Sequence, residues 1–111
     1  EFEESYRWCV EKMETIDTSL ILMETSIIEQ DFSSEGNIIL EDYNQVIREI
    51  AEDHNAVLVS VREEFRKILA KRPDYQWTND GVHTSAEGSV LMARAWLRAV
   101  GFDEKKWMKI D

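Results

Sequence analysis

The sequence predicts an α/β domain on parallel strands, and within that class the second half of a doubly wound domain. Three observations predict it. Two short apolar runs, "TSLILMET" (18–25) and "AVLVS" (56–60), lack polar alternation, the pattern of strands covered on both faces. Helical stretches precede, separate and follow them, which gives the order α-β-α-β-α-α and a parallel crossover. Finally, the chain opens on a helix with no strand before it, and a sheet of two strands is marginal by itself.

Each element has its own signal. Phe2, Tyr6, Cys9, Val10 and Met13 recur at the helical period, so residues 2–15 read as an amphipathic helix with Cys9 as a small buried apolar residue. After the first strand, residues 26–38 carry Ser33, Ser34, Gly36 and Asn37 and read as a loop, long enough to suggest a functional one. Tyr43, Val46, Ile47, Ile50 and Ala51 form one stripe of a helix over 40–54, with Asn55 as its stop. Val61, Phe65, Ile68 and Leu69 mark a third helix that Pro73 ends. The loop "RPDYQWTNDGVHTS" follows, and Ser85 caps a last helix over 86–99. That helix is apolar on most sides and expects neighbours on more than one. Trp107 and Met108 in the polar tail suggest docking onto the domain or onto another chain.

Composition narrows the function. The chain has 111 residues, enough for one small domain or part of one, with 43% hydrophobic and 32% charged residues. A net charge of −10 argues against nucleic-acid and anionic-membrane partners, because no basic patch exists to displace counterions. No apolar run approaches the roughly 20 residues of a membrane span. Two His and a single Cys, far apart, make a metal site improbable, and no cofactor is implied. The lone cysteine fits a reducing compartment, so the cytoplasm is expected, with secretion left open. The first residue is Glu1 rather than Met, which reads as a chain cut from something longer.

The chemistry concentrates in "WTNDGVHTSAEGSVLMARAWL" (77–97), where Asp80 and His83 stand three apart with Gly81 between them. A loop histidine serves as a general base near neutral pH. A nearby carboxylate holds one ring nitrogen and leaves the other free. Asp-x-x-His is a short pattern, and the plain alternative is a solvent-facing turn that caps the following helix.

The block "WTNDGVHTSAEGSVLMARAWLRAVGF" resembles the last sequence block of the SGNH hydrolases, the GDSL-type esterases and lipases. There an Asp-x-x-His loop precedes a final helix, with a glycine five residues after the His, here Gly88. "TSLILMETSIIEQ" resembles the family's fourth strand and its loop, and "LEDYNQVIREIAEDHNAVLVSVREEFRKIL" the helix, strand and helix after it. The resemblance looks closest to carbohydrate-esterase-like members, which include acetylxylan esterases. It implies a flavodoxin-like three-layer α/β/α fold of which residues 1–111 are the C-terminal part, with strands four and five adjacent. It implies His83 as general base and Asp80 as its orienting acid. It also implies a small acyl ester as substrate, such as an acetylated carbohydrate. The family's Gly-Asp-Ser nucleophile motif and Gly-x-Asn-Asp oxyanion motif are absent, since none of Gly36, Gly81, Gly88 and Gly101 begins either. Thr84 stands where Pro often follows the His, and Ser60 where the strand often ends in Asp.

Other candidates carry plainer readings. Trp77 either walls a substrate pocket or pins the loop. Met23 and Thr25 close the first strand and are placed near an acyl site. Ser60 reads as a buried or turn residue, and His54 as a cation at a helix end. Two functions follow. In one, the chain is the base-bearing segment of a serine esterase, completed by the missing N-terminal half. In the other, it is an inactive truncated fragment whose open strand edge recruits a second copy, giving a homo-oligomer.

Overall fold

The computed structural model describes residues 1–102; Trp107 and Met108 lie outside the described residues. The order is α1 (Phe2–Met13), β1 (Ile21–Met23), α2 (Glu35–Asp53), β2 (Val57–Val59), α3 (Val61–Lys71) and α4 (Ala86–Ala99). The two strands pair in parallel, with Ile21 beside Val57, Leu22 beside Leu58 and Met23 beside Val59.

Successive side chains of a strand point to opposite faces, so each face builds its own core. On one face Leu22 packs with Val10 of α1 and Ile47, Ile50 and Ala51 of α2, and Phe2, Tyr6 and Leu58 close around them. On the other, Val59 joins Ile27, Val61, Phe65 and Leu69 from the β1–α2 loop and α3, and Leu91 and Ala95 from α4. Helices on both faces of a parallel pair make the three-layer α/β/α arrangement expected of the C-terminal part of a doubly wound domain. Full burial of Phe65, Val59 and Val61 contributes roughly 1.5–3 kcal/mol for each large side chain.

Four expectations need correction. Strand β1 is not covered on both faces: Leu22 is buried, but Ile21 is 40% and Met23 44% exposed. Helix α4 lies over β2 rather than β1. Helix α4 likewise buries one stripe, Gly88, Leu91 and Ala95, and leaves Val90 and Trp96 exposed. Cys9 is exposed, because the buried ridge of α1 runs through Val10 and leaves Cys9 beside an open apolar groove with Ser5, Met13 and Ile21. The loop after β1 ends early. Helix α2 starts at Glu35 because the Ser34 side chain caps it, accepting the Asn37 N–H. Its first turn buries Asn37 where an apolar residue would have signalled a helix.

The remaining boundaries follow their signals. Asn55 has φ 51°, the left-handed conformation that stops α2. Helix α3 ends at Lys71, two residues before Pro73. Ser85 caps α4 by accepting the Gly88 N–H at 3.2 Å.

Candidate active site

The loop between α3 and α4 closes on itself. Thr78 and Thr84 form an antiparallel bridge, and the Asn79 N–H donates to the His83 carbonyl at 2.8 Å. Residues 80–82 are thereby held in a tight turn. Gly81 takes φ 88°, a conformation that side-chain-bearing residues avoid.

Asp80 organises that turn. Its Oδ1 accepts the Val82 N–H at 2.9 Å and the His83 N–H at 2.8 Å, an Asx turn. Its Oδ2 lies 2.7 Å from His83 Nδ1. The backbone N–H of His83, then its ring, then the Val82 N–H hold the Asp80 carboxyl well below the usual carboxylate range. An ionised Asp80 assigns the Nδ1 proton of a neutral His83 to their shared hydrogen bond, which leaves Nε2 with its lone pair. Nε2 has no protein partner among the described residues, and the ring is 79% exposed. Both residues singled out by spacing are therefore brought together in direct hydrogen-bond contact.

Trp77 and Thr25 are placed differently. The Trp77 ring packs at a tilt of 46° against Tyr75 with centroids 4.7 Å apart, its indole N–H donates to the Arg72 carbonyl, and it packs against the α3–α4 core. These are the contacts of a pin for the loop. Thr25 follows β1 and donates through its N–H and hydroxyl to Asn44 Oδ1 at 2.8 and 3.1 Å, so α2 holds it. Met23 is exposed on the uncovered face. Ser60 is exposed at the N-cap position of α3 and makes no side-chain capping bond, so the buried reading fails. His54 caps the C-terminus of α2 with Nδ1 2.8 Å from Glu14. Among the described residues no group of three His, Cys, Asp or Glu could hold a metal ion, and no helix is long and apolar enough to cross a membrane.

Reading by spacing missed the polar frame behind the turn. Glu24 is buried at the end of β1, accepting the Arg62 N–H and the Arg48 guanidinium at 2.6 Å. The buried Arg62 side chain bonds Glu41, the Ser26 carbonyl and the Asn37 carbonyl. Pairing with Arg48 and Arg62 lowers the pKa of Glu41. Asn37, fully buried, donates to the Ile28 and Asp31 carbonyls and accepts the Ile28 N–H. The clue available in sequence was the density of Asn, Glu and Arg around a long loop, which has no fixed spacing.

No protein-family model and no curated protein matches the chain. Solved structures do. An acetylxylan esterase, Axe2 from Geobacillus stearothermophilus, superposes with a TM-score of 0.80 at 29% identity, over 91% of this chain and 46% of that one. The fold of this chain matches the C-terminal portion of an esterase fold. An α/β hydrolase, LAE5 from the metagenome of Lake Arreo, Spain, gives 0.80 at 25% identity, over 90% and 46% of the two chains. The chain thus spans about half the length of the solved structures it matches. Three other Axe2 structures are catalytic mutants in which a serine, an aspartate or a histidine is replaced by alanine. In that enzyme the aspartate and histidine are three positions apart.

Proposed function

We propose that residues 1–111 form the base-bearing part of a serine carboxylic-ester hydrolase domain, with His83 as general base and Asp80 as the acid that orients it. The observation that carries this reading is the 2.7 Å contact from Asp80 Oδ2 to His83 Nδ1, with Nε2 left without a protein partner among the described residues. The three-residue spacing shared with the aspartate and histidine of the acetylxylan esterase's catalytic mutants supports it.

The nucleophilic serine comes from the other part of the domain, since no Gly-Asp-Ser occurs here. As its Oγ attacks the ester carbonyl carbon, His83 Nε2 takes the hydroxyl proton. Asp80 stabilises the resulting imidazolium. The tetrahedral oxyanion is held by donors of the missing part, because this chain lacks that motif. The C–O bond to the leaving alcohol then breaks, and His83 returns the proton to that oxygen. In the second half, His83 takes a proton from water, hydroxide adds to the acyl-enzyme, and the serine leaves reprotonated with release of the carboxylic acid. The sequence of steps uses no cofactor. The substrate is a small acyl ester, and the acetylxylan esterase neighbours favour an acetylated carbohydrate. The single cysteine of this chain favours a reducing compartment such as the cytoplasm, with secretion left open.

A fluorophosphonate probe tests this on the assembled enzyme. Labelling of a serine in the nucleophile-bearing part, lost on His83→Ala, is the expected result. Equal labelling in wild type and His83→Ala would overturn the assignment.

A second reading rests on the open side of β1. Among the described residues its outer edge is unpaired, Ile21 and Met23 are exposed, and an apolar groove of about 480 Å³ runs along α1 and β1. An edge of this kind recruits another strand. In that reading the chain is an inactive fragment that persists as a homo-oligomer.

A further inference from the structure

The loop between β1 and α2 reaches across the molecule to the Asp80–His83 turn, and one side chain makes the connection at the turn's stem. Gln30 Oε1 accepts the N–H groups of Trp77 at 2.6 Å and Thr78 at 3.1 Å. Its Nε2 donates to the Tyr75 carbonyl at 2.7 Å. The partners are 45 to 48 residues away in sequence, so only the tertiary fold brings them together. Thr78 is one side of the bridge that closes the turn. The amide orientation follows from its partners, because a flipped Gln30 would set its NH₂ group against two N–H donors.

The turn's tip is tied as well. The Glu29 N–H donates to the Gly81 carbonyl at 2.5 Å, from a Glu29 held at φ 58°. Left-handed backbone costs a residue with a side chain roughly 1 kcal/mol or more and persists where surrounding bonds over-determine it. Here they do: Asn37 clamps residues 28 and 31, and Arg62 holds the Ser26 carbonyl. Asp80 and His83 are 56% and 79% exposed, so packing does little to hold them. Their position depends on bonds at the stem and tip.

We infer that Gln30 is a positioning residue for the Asp80–His83 pair, acting through the backbone of residues 75–78. This inference rests on the esterase reading for its consequence in catalysis, but its geometry is testable without a nucleophile or an ester. Methionine at 30 matches the length of glutamine and removes all three bonds. Glutamate keeps the acceptor for Trp77 and Thr78 but sets a carboxylate oxygen against the Tyr75 carbonyl.

The test is NMR on the 111-residue chain, comparing wild type, Gln30→Met and Gln30→Glu. In Gln30→Met the Val82 and His83 amides exchange at least about tenfold faster, while Val59, Phe65 and Leu91 keep their protection. The Asp80 carboxyl titration moves up toward the ordinary aspartate value. Gln30→Glu falls between the two, and carries the same comparison if the methionine variant does not fold. In the assembled enzyme, Gln30→Met lowers kcat at least about tenfold with KM within about twofold, since misplacing a reacting group acts on the chemical step. Unchanged Asp80 titration and Val82 and His83 exchange would overturn the inference. So would faster exchange spread evenly through Val59, Phe65 and Leu91, which would make Gln30 a residue of global stability. If turnover survives His83→Ala, the esterase reading fails, and the NMR result still decides whether Gln30 positions the turn.

Discussion

Gly88 meets the backbone of Trp77 so closely that a Cβ at position 88 would lie 2.2 Å from the Trp77 carbonyl oxygen. The same oxygen accepts the Ser85 N–H at 3.0 Å, so the loop and the first turn of α4 share one attachment point. Gly88→Ala gains roughly 1 kcal/mol of helix propensity. It must also push backbone against backbone, and overpacking of this kind typically costs about 1–3 kcal/mol. The clash is far inside contact distance and the oxygen is not at the end of a flexible side chain, so the net effect is destabilising. Urea denaturation measures it. An alanine variant as stable as wild type would mean that the loop slides freely over α4.

The pH response of the turn follows from Asp80. Its folded pKa is depressed, first by the His83 backbone N–H and then by the His83 ring. A depressed carboxyl contributes in full above the unfolded value of about 3.9 and is lost as pH falls through the folded value. Turn order is therefore constant from neutral pH down to about pH 5, with respect to this group, and fails only in strong acid. Carbon-13 NMR of the Asp80 carboxyl should show that low midpoint, with the Val82 and His83 amide shifts moving alongside it. A midpoint at the ordinary aspartate value would show that these bonds do not persist in solution.

Asp80→Asn leaves the fold intact because the side chain is exposed, but it replaces an anion with a neutral amide beside Nδ1. Turnover in the assembled enzyme should fall on the order of 10³–10⁴-fold, the scale at which the orienting acid of a triad acts. Steady-state kinetics checks this, and a loss below about tenfold would remove Asp80 from the mechanism.

Arg62→Met tests the polar frame. The arginine side chain is 4% exposed and supplies donors to the Ser26 and Asn37 carbonyls and to Glu41. Methionine fills part of the space and leaves those carbonyls without that donor. A loss of about 2–4 kcal/mol is expected by denaturant titration, from unsatisfied buried acceptors and a broken ion pair. The Glu41 pKa should rise toward its ordinary value, because Arg62 is one of the two arginines that lower it.

Ile21→Lys with Met23→Lys tests the self-association reading of the open β1 side. Both side chains are already exposed, so folding of the isolated chain should change by less than about 0.5 kcal/mol. Sedimentation at micromolar concentration should show wild type associating and the double variant monomeric, since charges on an exposed strand oppose pairing. A wild-type monomer under those conditions would remove the self-association reading.

The sequence was most legible where a signal is local. Helix α4 was read at its observed bounds because Ser85 is a capping residue directly before it. The start of α2 is not legible in the sequence, because Ser34 sits among Ser33, Gly36 and Asn37, a run typical of loops, and because the first turn buries an asparagine. The apolar runs 18–25 and 56–60 are longer than the paired strands Ile21–Met23 and Val57–Val59, because apolar residues continue past the paired segment. Uncovered Ile21 and Met23 have the composition of buried strand residues, so their exposure could not be read from the run itself.

By itself the sequence determined the order of elements, the parallel pairing class and the Asp80–His83 pair, because each rests on periodicity, capping or a spacing of a few residues. Only the tertiary structure decided how that pair is held. Gln30 meets Tyr75, Trp77 and Thr78, and Arg62 meets Ser26 and Asn37, through hydrogen bonds between residues 25 to 48 apart. Such bonds have no period. They depend on where β1, α2 and α3 stack once their apolar faces are buried, and that stacking carries the loop after β1 up against the turn.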